Sequence, residues 1–143
     1  MSNQLVFQTP RAPALPGNDK PQLEDVDSGW HTVTCTTDTD EVITAVSFTM
    51  DADTAYWVEA VAIGRATDDS GETYVIKLRG LFENDGGTCT LVGNDNGTAI
   101  ESFTTAPAAT LVVDDTNDRA TIGLDSNAAE VIAWKVVFRV IKV

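Results

Sequence analysis

Side chains able to make and break bonds are scarce in this chain, and their spacing does not point to catalysis. The one histidine, His31, lies four residues before Cys35, so on an extended strand both side chains point to the same face. A nucleophile and its base need a third group to orient them; none is readable around this pair, and a strand-edge histidine is far more often structural. Paired carboxylates would need to face each other across a cleft. Acids are plentiful here, but they fall in short runs at 38–41, 51–53 and 114–118. Each run could offer oxygens to calcium, yet none follows the twelve-residue EF-hand pattern. Asp and Asn also close β-turns through bonds to their own backbone. The turn reading is preferred, with 114–118 the first place to look for an ion. Cys35 and Cys89 have no metal-ligand spacing and read as reduced core thiols, a disulfide between them being the less favoured alternative. Glycines 71, 86, 87 and 97 fall where turns need positive φ, and no phosphate-cradling loop opens a helix. No catalytic residue, metal or cofactor is expected.

The elements that hold these residues are strands. From 130 to 143 the side chains alternate without a break: Ile132, Trp134, Val136, Phe138 and Val140 on one face, Ala133, Lys135, Val137, Arg139 and Ile141 on the other. A two-residue repeat puts successive side chains on opposite sides of a pleated strand. The first face is a core face; the second mixes cations with aliphatics. The same reading gives strands at 30–36, 41–50 (Val42, Val46, Phe48 and Met50 inward), 55–67, 72–84, 88–92, 98–104, 109–113 and 119–124. Turns are expected at 68–71, 85–87 and 94–97. On 72–84, Tyr74, Ile76, Leu78 and Phe82 face one way, with Lys77, Arg79 and Glu83 opposite. On 55–67, Trp57, Glu59, Val61, Ile63 and Arg65 share a face, with Tyr56 and Val58 behind them. About nine strands without a helix make an all-β protein, read as an antiparallel jelly-roll or Greek-key sandwich of eight or nine strands. Segments of 12 to 14 residues are long for strands, so two long hairpin elements are expected to form the main sheet.

The 143 residues fit one domain, preceded by a segment of different character. Residues 1–29 hold four of the five prolines and no sustained periodicity. Proline removes a backbone donor and biases the residue before it to extended geometry. This segment therefore reads as an extended arm with scattered apolar anchors, Leu5, Phe7 and Leu15 among them, followed by a sandwich domain over 30–143. Nine Lys and Arg against 22 Asp and Glu give a net charge of −13, which repels phosphate and argues against nucleic acid as a partner. No apolar run approaches the length of a membrane span. The N-terminal stretch lacks the charged start and apolar core of a signal peptide. The expectation is a product made and kept in a cytoplasm, or assembled there into something larger.

From residue 55 onward a hairpin is followed by Thr90-Leu91-Val92-Gly93, and the last strand carries Trp134 before alternating Val and Arg up to Arg139. In this order of features the chain resembles a β-sandwich module of tailed-bacteriophage structural proteins, which includes capsid decoration and fibre proteins. The resemblance implies a non-enzymatic virion part. With the arm and the small size, it implies a capsid decoration (cement) protein that binds the outer head surface and bridges neighbouring capsomers. Its expected partners are the major capsid protein and its own copies, as a homotrimer. The rival reading is a receptor- or glycan-binding head of a fibre or tail protein, with Trp57 and Tyr56 as a stacking platform. Contacts are expected through the arm (Leu5, Phe7, Leu15) and through the mixed face of the last strand (Lys135, Val137, Arg139, Ile141), where aliphatics stand between the cations in place of the Thr and Ser of a solvated face.

Overall fold

The computed structural model describes residues 29–68 and 70–143, together with the backbone of residues 22–23. Ten strands occur among them: β1 (Gln22–Leu23), β2 (His31–Thr37), β3 (Val42–Thr49), β4 (Thr54–Ala66), β5 (Thr73–Asp85), β6 (Thr88–Asn94), β7 (Ile100–Glu101), β8 (Ala108–Asp114), β9 (Arg119–Asp125) and β10 (Ile132–Lys142). They form two sheets, a four-stranded one in the order β1-β3-β9-β8 and a larger one in the order β2-β10-β4-β5-β6, with β7 also on β5. Every pairing is antiparallel except β1 with β3, where the end of the proline-containing segment lies parallel to a sheet edge. The last strand inserts between β2 and β4, so the chain closes the larger sheet with its most alternating segment. This is the all-β antiparallel sandwich expected from periodicity.

The core lies between the sheets. Ile132, Trp134, Val136, Phe138 and Val140 of β10 are all buried, as are Tyr56 and Val58 of β4 and Leu78 and Phe82 of β5. Val46, Phe48, Ile122 and Leu124 oppose them from the smaller sheet. The long β4–β5 hairpin pairs over twelve residues, from Thr54 opposite Asn84 to Arg65 opposite Thr73. Asp68 helps the chain reverse at its tip: one of its oxygens accepts the Ser70 backbone N–H at 2.9 Å. At the opposite end Gly86 and Gly87 have φ of 62° and 94° between Asp85 and Thr88. A two-residue hairpin loop needs both positions left-handed, which glycine tolerates without strain.

Two expectations fail for local reasons. The segment at 94–97 is not a turn. Asp95 donates its N–H to the Arg79 carbonyl and Gly97 to that of Lys77 (2.8 and 2.9 Å), so β6, this segment and β7 run together along the whole of β5. A register shift beside Leu81 and Phe82 leaves Val92 as an extra residue in β6 just before this run. Of the strand expected at 98–104, only Ile100–Glu101 forms. The second failure is Val42, placed inward by alternation but 71% exposed. A bulge between Thr44 and Val46 inverts the phase, since one extra residue turns all earlier side chains to the other face. Val46, Phe48 and Met50, beyond it, are buried as expected.

Candidate docking face

The outward positions of β10, β4 and β5 stand in register and form rows across the large sheet. One row runs Arg139, Glu59, Arg79, each directly opposite the next. Trp30 caps it on one side, its ring centroid 5.1 Å from the Arg139 guanidinium carbon. Asp95 closes it on the other by pairing with Arg79. Within the row Arg139 Nε donates to Glu59 Oε1 at 2.6 Å. The next row is Val137, Val61, Lys77, and the one after it Lys135, Ile63, Val75. On the far side of the charged row stand Ile141, Trp57 and Leu81. Between the charged row and Val61 and Lys77 of the next lies a cavity of about 290 Å³, lined by Trp30, Glu59, Val61, Lys77, Arg79 and Gly97.

Charge separates sharply over this surface. Arg65, Lys77, Arg79, Lys135 and Arg139, five of the chain's nine cations, point outward from the three central strands. Arg79 and Arg139 are paired with carboxylates, whereas no carboxylate of the described residues reaches Lys77 or Lys135 within salt-bridge distance. The outer face of the smaller sheet carries Thr44, Ser47, Thr110 and Thr121 at outward positions, with Val42 and Val112 exposed among them and Arg119 as the one cation of its strands. Hydroxyl side chains suit a solvated face. Aliphatics such as Ile63, 43% exposed among cations, leave apolar area in water that a partner would remove.

Lys135, Val137, Arg139 and Ile141 thus share one face, on which Arg139 pairs with Glu59. Leu5, Phe7 and Leu15 lie outside the described residues. The sequence reading covered only the β10 half of the face. Lys77 and Arg79, recognised as outward on their own strand, and Arg65, Val61 and Ile63 of β4 were not joined to it. Local turns fix β4 against β5, but no local signal places β10 beside β4. Trp30, 54% exposed, was missed as a face residue. Of the platform pair, Trp57 is half-buried on this face. Tyr56 is not available: it is buried against Phe48 (centroids 5.4 Å apart), and its hydroxyl accepts the Asp51 N–H at 2.9 Å.

The other candidate residues serve the fold. His31 is buried and stacks on Phe138, centroids 5.4 Å apart. Cys35, opposite Trp134, and Cys89 are unbonded to each other. The 114–118 run is a turn: Asp114 accepts from both the backbone N–H and the side-chain amide of Asn117 (3.2 and 2.8 Å). Next to it, Cys89, Asp115 and Asp118 bring a thiol and two carboxylates within 4.8 Å of one another. Asp115 accepts the Cys89 N–H at 2.6 Å, and the Cys89 thiol lies 3.5 Å from Asp118 Oδ1 as donor. Burial first, then the Asp118 hydrogen bond and charge, push that thiol up to about 11, so it keeps its proton. The three groups form a hydrogen-bonded corner.

No family model matches the chain, and no curated protein matches it either. Among solved structures it is similar to the tailspike protein of Acinetobacter phage vB_ApiP_P1, at a TM-score of 0.40 and 7% identity. The match covers 97% of this chain, which spans about a quarter of the tailspike's length (24%). A likeness this distant carries no functional weight.

Proposed function

We propose that this chain is a structural, non-enzymatic subunit of a bacteriophage virion, and that it works by docking the outer face of its large sheet against an acidic protein surface. The segregation of five cations and a set of aliphatics onto one face of a chain with net charge −13 carries the docking part. Such a face supplies apolar area for affinity and charge for orientation and register. The virion part rests on the resemblance of residues 55–143 to phage β-sandwich modules. In a head the subunit would bridge capsomers and stabilise the shell by mass action. One observation favours the second reading, recognition of a receptor or glycan by a tail or fibre. The exposed Trp30 stands over a cavity that also holds Lys77, Arg79 and Glu59, the combination of flat apolar ring and polar groups that ligand sites use.

Antibody labelling of intact virions tests the proposal. Label on heads, with loss of heat resistance when the protein is missing, supports cementing; label on tails supports recognition. Absence of the chain from purified virions overturns both.

A further inference from the structure

We propose that the cationic outer face of the large sheet takes the acidic end of a second copy of this chain, head to tail, with Lys77 and Lys135 meeting the carboxylates of Asp68, Glu72 and Glu130. The inference rests on the docking reading above and names the partner.

The face restricts what can cover it. Two copies packed face to face about a two-fold axis would set Lys77, Lys135 and Arg65 of one against the same residues of the other. Like charges brought together at an interface are strongly unfavourable. The covering surface must therefore be acidic, and in a symmetric contact between identical chains it must be a different surface from the face itself.

One end of the sandwich offers such a surface. The β4–β5 tip and the segment before β10 bring Asp68, Glu72 and Glu130 together around Ser70, whose hydroxyl lies 2.5 Å from Asp68 Oδ1 and 3.1 Å from Glu130 Oε1. No cation of the described residues pairs with any of the three. Glu72 Oε1 is buried without a hydrogen-bond partner, an orphaned acceptor of the kind that native folds rarely leave. Burial and then repulsion from Glu130 hold the Glu72 carboxyl above its ordinary range. Among the described residues Lys77 and Lys135 have no carboxylate within salt-bridge reach and Asp68, Glu72 and Glu130 have no cation within it, although the Arg65 guanidinium lies beside Gly71 at the same tip. Contact between two different surfaces is heterologous, and a rotation that closes gives a ring, such as the trimer expected from sequence.

The test uses the full chain and sedimentation velocity across concentration and salt. The parent should self-associate at low ionic strength and dissociate as salt rises. A face variant (Lys77→Glu with Lys135→Glu) and an end variant (Asp68→Asn with Glu130→Lys, the Asn preserving the turn) should each associate at least about tenfold more weakly than the parent, the size of one lost 1.4 kcal/mol contact. Circular dichroism and the melting temperature check that both remain folded; should either unfold, Lys77→Gln with Lys135→Gln and Glu130→Gln alone take their places. The decisive step is mixing. The parent face of the end variant and the parent end of the face variant restore one native contact, so an equimolar mixture should form a one-to-one dimer. A parent that stays monomeric, an end variant with the parent's mass, or a mixture that stays monomeric overturns the inference. Each leaves the virion assignment standing, because antibody labelling does not depend on self-association.

Discussion

Replacing Trp134 tests whether the residue that marks the last strand in sequence acts through packing or through its polar edge. Trp134 is buried, and its indole N–H donates to Thr37 Oγ1 at 2.9 Å, a pair with no access to water. Gly64 lies directly opposite on β4, where an added Cβ would come within 3.0 Å of the indole ring, so the sheet makes room for this one side chain. Trp134→Phe leaves the Thr37 hydroxyl buried without a partner, which costs about 1–3 kcal/mol. It also opens a space of a few tens of Å³, worth about 1 kcal/mol at ~24 cal/mol per Å³. The single change should therefore cost about 3 kcal/mol, or about 9 °C in Tm at roughly 3 °C per kcal/mol. Thr37→Val strands the indole N–H and should cost about 1–2 kcal/mol. In the double variant both polar partners are gone and only the space remains. Its cost should be about 1–2 kcal/mol, well below the sum of the singles. Urea and thermal denaturation of the four proteins give the cycle. Additive costs would refute the reasoning, since the hydrogen bond would then contribute nothing of its own.

Three further outcomes are expected. Deleting residues 2–21 should leave the melting temperature unchanged, whereas deleting 2–23 removes β1, which pairs Leu23 with Phe48 and covers the outer edge of β3; the longer deletion alone should raise light scattering, because an uncovered edge recruits other strands. Wild-type stability should fall between the ordinary thiol range and about pH 11, where the unfolded chain loses the Cys89 proton and the folded chain keeps it. Subtracting the profile of Cys89→Ser isolates this from tyrosine ionisation, and parallel profiles would sink the idea. Glu72→Gln should stabilise the fold at neutral pH: with its carboxyl pKa raised, Glu72 gives its full contribution only at acid pH and loses it as the pH rises and the group ionises beside Glu130 and Asp68. The advantage should vanish on acidification, and a Gln variant less stable than the parent at pH 7 would count against the repulsion.

What could be read from the sequence follows the range of the interactions. Alternation along β10 is a local property, and Ile132 to Val140 are buried as the pattern requires. Reversal at Gly86 and Gly87 is equally local, since only the residues in the loop set its φ angles. Misreadings arose where a local rule met a non-local partner. The Asn-Asp-Asn-Gly run has turn chemistry, but the free edge of β5 offered carbonyls to Asp95 and Gly97, and that ladder outweighed the local preference. Val42 faces water because a bulge opposite β9 shifts the phase, and no residue type in β3 announces it. The docking face lies on the same boundary. Its Lys135-to-Ile141 half is periodic and could be seen in advance, while its Lys77 half joins only because β10 packs beside β4, a pairing between segments some seventy residues apart. Function in such a chain resides in how distant strands align their outward residues. A face assembled this way is best sought by laying the strands in register and asking where charge and apolar area fall together. Here the register joins Arg65, Lys77 and Arg79 to Lys135 and Arg139, whereas the strands of the smaller sheet carry one cation, Arg119. That concentration of cations on one face of a chain with net charge −13 is the physical reason to regard it as an interface.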